Sequence, residues 1–302
     1  MASRAKIRQG LSSRGGTSLS KGYNAIRRFS EDIDLSFDRA DLGYEGDRDP
    51  EAAPSRKKAE KLIDDLIDDV EKHIETVVLP RLSAAIEAEL GPAEEAGWSL
   101  KIEDGHPQNL IFDYPPSLPE KDYAGFAYMS RRVKLEFGAR GDPWPIEKRE
   151  IASYAAQEFP DFFESPACQV DVLALRRTFW EKATALHAEH HRDLQSPTPP
   201  YFSRHYYDLA TLADTDEGKE AMNDANLLKQ VADHKSLFFR SAWASYDTAR
   251  AGTLRLSPHA DRIPDLRADF RKMGPMMFDD PPPNFDDILK RIALLENTIN
   301  DE

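Results

Sequence analysis

RGGTSLSKGYNAIRRFSEDIDLSF, residues 14–37 of the 302-residue chain, joins a glycine turn, a short helix and a carboxylate-bearing strand in one run. Gly15 and Gly16 let the backbone turn sharply and approach a ligand closely, and Thr17 or Ser18 then caps a helix expected to run through Ile26. The amides at the start of such a helix attract phosphate. After the basic pair Arg27 and Arg28, FSEDIDLSF alternates: Ile33, Leu35 and Phe37 face one way, and Asp32, Asp34 and Ser36 the other. Two carboxylates on one strand face suit Mg²⁺, and two such ions about 3.5–4 Å apart can activate an attacking oxygen and stabilise a leaving one in phosphoryl or nucleotidyl transfer. Asp-x-Asp is also ordinary in an acidic chain that contains IDDLIDD and FDD; its spacing from the glycine turn is what singles out this pair.

Upstream, MASRAKIRQGLSSR is polar and shows no strand pattern. The first 28 residues hold Arg4, Lys6, Arg8, Arg14, Lys21, Arg27 and Arg28 and no acid, which reads equally as a local basic surface or, before Arg14, as a disordered basic tail. Downstream, ADLGYEGDRDPEAAPS is a loop, followed by a helix over residues 56–90. Its stripe of Leu62, Ile63, Leu66, Ile67, Val70, Ile74 and Val77 faces a core, and Asp64, Asp65, Asp68 and Asp69 form a solvated face. Pro80 is expected to kink or divide it.

Strand-like runs at 98–103, 109–114 and 131–138 join the motif strand in a small mixed or antiparallel sheet. In VKLEF, Lys134 and Glu136 share a face; beside the Asp32/Asp34 strand, Glu136 becomes a third metal carboxylate and Lys134 a phosphate neighbour, unless both simply face water. GDPWPIEKREIASYAAQEFP reads as a turn and a short helix, and ESPACQVDVLALRR as a crossing segment. Helices are expected at about 176–192, 203–214, 217–247, 260–273 and 284–299, with the boundary between a 1–165 α/β core and a 166–302 helical region near Ser165.

The balance of 40 basic and 54 acidic residues, a formal net charge of -14, disfavours general affinity for nucleic acid. Cys168 is the only cysteine, which excludes an intrachain disulfide and a thiolate metal cluster and fits a reducing cytoplasm. No apolar run is long enough to span a bilayer, and the basic start lacks the apolar core of a secretion signal; the expectation is a cytoplasmic protein. No GxxxxGK[ST] occurs, which argues against a P-loop NTPase.

In the helical half, RRTFWEKATALHAEHHR sets Phe179, Ala183 and Leu186 on an apolar seam and Lys182 on another face. His187, His190 and His191 have spacings compatible with zinc, but packing and a helix end account for them as well. In SRHYYDLATLAD, Ser203 can cap a helix on which Arg204 and Asp208 stand one turn apart, as for a local ion pair. Tyr206 and Tyr207 read as core, with base stacking as the lesser alternative, and Met276, Met277 and Phe278 as plugs of the helical core.

GGTSLSKGYNAIRRFSEDIDL resembles the first motif of the AbiEii/AbiGii-type nucleotidyltransferase toxins of the DNA polymerase β-like superfamily. VKLEFGAR (133–140), RTFWEKATALHAE (177–189) and RHYYDLATLA (204–213) resemble its remaining motifs in the expected order. The resemblance implies an α+β fold, a small mixed-sheet nucleotidyltransferase core with an α-helical C-terminal region closing one side of a cleft. It implies transfer of an NMP from an NTP to an acceptor hydroxyl. Mg²⁺ would be held by Asp32, Asp34 and Glu136, and the triphosphate by Gly15, Gly16, Thr17, Ser18, Lys21, Lys134 and Lys182. Ser30 would be a hydrogen-bonding neighbour or, as the lesser alternative, a modified side chain, and Asp208 a catalytic cleft residue that positions Lys182 or Arg204, with help in deprotonating the acceptor hydroxyl as the lesser alternative. By the same resemblance the acceptor is RNA, at the 3′ end of tRNA, and the outcome is growth arrest relieved by a cognate antitoxin. In that family a hydrophobic strand precedes the glycine turn; the polar lead-in here implies a sheet that begins differently or a chain that starts late. Two other classes stay open: a metal-dependent phosphotransferase on protein or small molecule, and a degenerate, non-enzymatic NTP- or RNA-binding protein.

Overall fold

The computed structural model describes residues 11–117, 119, 121, 131–142 and 144–301. The chain forms two compact units, one comprising the residues up to Thr17 with Ser30–Pro143, the other Ser18–Phe29 with everything from Trp144 onward. The motif stretch is thus shared: the chain leaves the first unit after the glycine turn and returns before the carboxylates.

In the first unit, β1 (Leu11–Arg14) leads into a helical turn, α1 (Gly15–Thr17), and β2 is Asp32–Phe37. Helices α2 (Arg56–His73), α3 (Leu79–Leu90) and α4 (Ala93–Ala96) precede strands β3 (Ser99–Glu103), β4 (His106–Asp113) and β5 (Arg132–Gly138). The strands run in the order β3-β4-β5-β2-β1. Only β2 and β5 are parallel; the other pairs are antiparallel, so the sheet is mixed. Alternation decides its faces: Phe37, Leu110 and Phe137 are buried on one side, where the Phe37 ring meets His73 of α2 edge-on at 5.5 Å. The predicted α2 stripe is buried at Leu62, Ile63, Leu66, Val70 and Ile74. A wide turn at Ile74–Val78 separates α2 from α3, and Pro80 stands in the first turn of α3, where its missing N–H is least costly.

The last four residues of the polar lead-in are a strand after all. Leu11, Ser12, Ser13 and Arg14 lie opposite Phe37, Ser36, Leu35 and Asp34 of β2. Four residues with one apolar side chain carry no alternation to read; pairing with β2 supplies what propensity does not, and the small Ser12 and Ser13 are buried there. Arg4, Lys6 and Arg8 fall outside the described residues.

The helix expected through Ile26 is also different. A wide turn at Ser18–Gly22 follows α1, and the chain then unwinds, with Asn24 at φ 50°. Leu19 and Ile26 are both anchored in the helical core of the second unit, and the unwound chain is what lets both reach it.

The second unit adds two strands that the sequence reading did not assign: β6 (Ile146–Ala152) and β7 (Ala167–Leu173), antiparallel from Ile146 opposite Leu173 to Ala152 opposite Ala167. IEKREIA was expected in a turn and helix, and ACQVDVL in a crossing segment. Both are largely polar and partly exposed, so neither shows clean alternation. The short helix of that stretch is α5 (Tyr154–Glu158), between the strands. The division consequently falls at 143/144 instead of Ser165, because β6 and β7 pair with each other and belong to the second unit.

Six helices follow: α6 (Leu175–His190), α7 (Ser203–Leu212), α8 (Asp216–Met222), α9 (Ala225–Phe238), α10 (Ile263–Lys272) and α11 (Phe285–Asn300). The single helix expected over 217–247 is divided at Asn223–Asp224, where the Asp224 carboxylate accepts from the Leu227 amide and starts α9. Phe179, Trp180 and Leu186 of α6, Tyr206 and Leu209 of α7, and Ile288 and Ile292 of α11 build the core. Met276 and Met277 join the buried residues as expected, but Phe278 is exposed and meets the Tyr154 ring at its edge instead. The α+β class, with a mixed sheet and a helical C-terminal region, is the one observed.

Candidate active site

The two units hold the predicted site residues in two groups. In the first, strand pairing places the carboxylates. Asp34 lies opposite Glu136 across the parallel β2–β5 pair, and Asp32 opposite Lys134, so all four project from the same sheet face. Asp32, Asp34 and Glu136 are half-buried. Gly15 has φ 72° and stands over Asp34 so closely that a Cβ at this position would collide with the carboxylate oxygen Oδ2. The Thr17 hydroxyl donates to the Asp32 carbonyl oxygen, tying the glycine turn to the start of β2, and Gly16 is buried. Ser30 occupies the irregular approach to β2, half-buried.

Lys134 does not point at open solvent. Its Nζ lies 2.6 Å from Glu136 Oε1 and 3.3 Å from Glu103 Oε2, while Asn109 donates to the same Glu103 oxygen at 2.7 Å. Burial alone would lower the Lys134 ammonium, but the two carboxylates raise it above the ordinary lysine value. Arg14, opposite Asp34, lays its guanidinium against Gly138 and Gly141, where any side chain would displace it.

Oxygen donors at paired strand positions fit a hard divalent cation in chemistry and in register. The side chains are not drawn together around one, however: among the described residues no three His, Cys, Asp or Glu side chains are grouped to hold a metal ion, and Glu136 is engaged by Lys134.

In the second unit, α6 and α7 bring Lys182 and Asp208 together with a third residue. Lys182 Nζ lies 2.7 Å from Asp208 Oδ2, and Arg28 grips the same carboxylate with both arms of its guanidinium, Nε to Oδ1 at 2.7 Å and Nη2 to Oδ2 at 2.8 Å. Side-chain exposure is 2% for Arg28, 0% for Asp208 and 8% for Lys182. Burial would raise the Asp208 carboxyl, but Arg28 and Lys182 together outweigh it and hold the group far below the usual carboxylate range. For Lys182 the balance goes the other way: burial, helped by Arg28, lowers the ammonium more than Asp208 raises it. His205 is pushed well below the ordinary histidine value by burial, then by Lys182 and Arg204, and is neutral beside them.

The expected Arg204–Asp208 pair is therefore replaced. Asp208 takes Arg28, 180 residues away in sequence, and Lys182, while Ser203 donates to Asp269 and heads α7 without capping it. Arg28 is the residue that sequence reasoning missed, having been read only as half of a basic pair. No local signal marks it, since its partner comes from a distant helix. Its neighbour Arg27 pairs with Asp279 at the surface.

Ser18 is buried in the wide turn, and Lys21 in the same turn stands over the Tyr154 ring, with burial lowering its ammonium to about 8. Tyr206 and Tyr207 are core residues, Tyr207 accepting from the Arg27 amide through its hydroxyl oxygen. His187 is committed through both ring nitrogens, to Ser245 O and the Arg255 amide, and His190 Nδ1 lies 2.8 Å from Ser257 O, so packing and loop anchoring account for these histidines.

No helix among the described residues is long and apolar enough to cross a membrane. Among curated proteins no relative matches the chain. Among solved structures it is similar to MenT4, a nucleotidyltransferase toxin from Mycobacterium tuberculosis, at 14% identity and a TM-score of 0.47, over 98% of this chain and 78% of that one. Residues 13–291, from the end of β1 into α11, match the family model described as nucleotidyl transferase AbiEii toxin, type IV toxin–antitoxin system. With that match covering the carboxylate strand, the glycine turn and the Lys182 and Asp208 helices, the chain belongs to the AbiEii nucleotidyltransferase toxin family.

Proposed function

We propose that the protein transfers an NMP from an NTP to an acceptor hydroxyl, releasing pyrophosphate, with Asp32, Asp34 and Glu136 as the ligands for Mg²⁺. The observation that carries the reading is the parallel register that sets Asp34 opposite Glu136 with Gly15 against its carboxylate. Bound there, the divalent ions supply charge stabilisation at the phosphates and at the attacking oxygen. Glu136 becomes available as a ligand when Lys134 is left to Glu103, its second carboxylate partner. Backbone amides of Gly16, Thr17 and Ser18, with Lys21, Lys134 and Lys182, bind the triphosphate, and Asp208 holds Lys182 in position. Ser30 is a hydrogen-bonding neighbour of the nucleotide.

The acceptor we assign is RNA, at the 3′ end of tRNA, and the cellular outcome is growth arrest relieved by a cognate antitoxin. Purified protein incubated with Mg²⁺, tRNA and NTP labelled at the α or the γ position tests this. Label from the α position retained on the RNA is expected, and Asp34→Asn is expected to abolish it by more than about a hundredfold. Transfer of γ-label would instead establish a phosphotransferase. Labelling of neither RNA nor protein with any NTP, unaltered by Asp34→Asn, would establish a non-enzymatic binding protein.

A further inference from the structure

We propose that Arg28 is a positioning residue for polyphosphate binding, clamping Asp208 so that Lys182 is held in place. The inference rests on the reading above that Lys182 binds the triphosphate.

The clamp is bidentate, both Asp208 oxygens being taken by one planar guanidinium, which fixes the direction of the carboxylate as a single lysine contact cannot. Lys182 then shares Oδ2 with Arg28 Nη2. Two cations meet one anion in a cluster that is almost completely buried. A carboxylate fixed in direction fixes in turn the ammonium that pairs with it. Lys182 is the member with residual side-chain exposure.

Arg28 is itself immobilised. Its backbone bridges to Met277, the Phe29 amide donates to Met276 O at 2.7 Å, the Phe278 amide donates to Arg27 O at 3.0 Å, and Arg28 Nη1 donates to Phe29 O at 3.1 Å. Such fixation is what a clamp needs and a solvated arginine lacks.

The test is calorimetric binding of inorganic tripolyphosphate and of a non-hydrolysable NTP analogue to the full chain, to Arg28→Gln and to Arg28→Lys. Arg28→Gln is expected to weaken both by roughly ten- to a hundredfold, the loss typical of a hydrogen bond to a charged group, and Arg28→Lys, which restores the charge but not the fork, to recover part of it. In turnover the expected signature is a raised KM for NTP with a smaller change in kcat. Folded Arg28→Gln with wild-type affinity overturns the proposal; if that variant fails to fold, Arg28→Lys with wild-type affinity overturns it. Wild-type protein that binds tripolyphosphate yet transfers no nucleotide defeats the nucleotidyltransferase reading while the clamp is still judged by tripolyphosphate. Wild-type protein that binds no polyphosphate overturns the clamp.

Discussion

Asp208 is the residue on which the second unit's polar chemistry converges, and its energetics can be predicted from its burial. Replacing it with Asn leaves Arg28 and Lys182 buried against a neutral amide, a change expected to cost about 3–5 kcal/mol of unfolding free energy in denaturant titration. The pH dependence has a definite sign. The folded carboxyl titrates below its unfolded value near ~3.9, so its contribution is fully present above that pH and is lost as the pH falls below it, the folded state then binding fewer protons than the unfolded. Wild-type stability is therefore expected to decline below about pH 4 with a steeper slope than Asp208→Asn, measured as unfolding free energy against pH. Equal slopes would mean that Asp208 is not the ionised centre of the cluster. Family resemblance singled out Asp208 and Lys182 as expected site residues, and Arg28 was left out because charge pairing over 180 positions leaves no periodicity to read.

At the scale of the element, the glycine turn and β2 act as one piece. Thr17 ties the turn to Asp32, and Gly15 presses its Cα against Asp34 at a positive φ. Gly15→Ala is expected to cost about 1–2 kcal/mol of stability through the left-handed backbone. The colliding atom is the end of a side chain, so the fold should survive while Asp34 is turned away from its position opposite Glu136. A folded Gly15→Ala variant that has lost divalent-ion-dependent transfer is the expected outcome; full activity would separate Asp34 from the metal. β2 and β5 were legible because Ile33, Leu35 and Phe37, and Val133, Leu135 and Phe137, alternate against polar neighbours. The short β1 and the pair β6 and β7 were not, since their strand character comes from their partners and not from their own side chains.

For the molecule as a whole, the formal net charge of -14 sets the expectation for any RNA partner. Affinity for bare RNA should be weak, and raising salt from 50 to 200 mM should change it by less than about tenfold, against roughly 10³–10⁵ for a protein that contacts 6–10 phosphates. Fluorescence anisotropy with labelled tRNA measures this, and a steep salt slope would reveal a concentrated basic surface. What the sequence determined by itself is what depends on near neighbours: the carboxylates on one face of β2, the glycines that a tight turn requires, the amphipathic stripe of α2, and the ordered motifs whose family the match over residues 13–291 bears out. What only the tertiary structure decided is what depends on distant partners. The boundary at 143/144, the exchange of Ser18–Phe29 into the second unit and the pairing of Arg28 with Asp208 all arise because burial and charge compensation are satisfied by whichever group packing brings near. Sequence separation does not enter that balance, which is why no local pattern could report it.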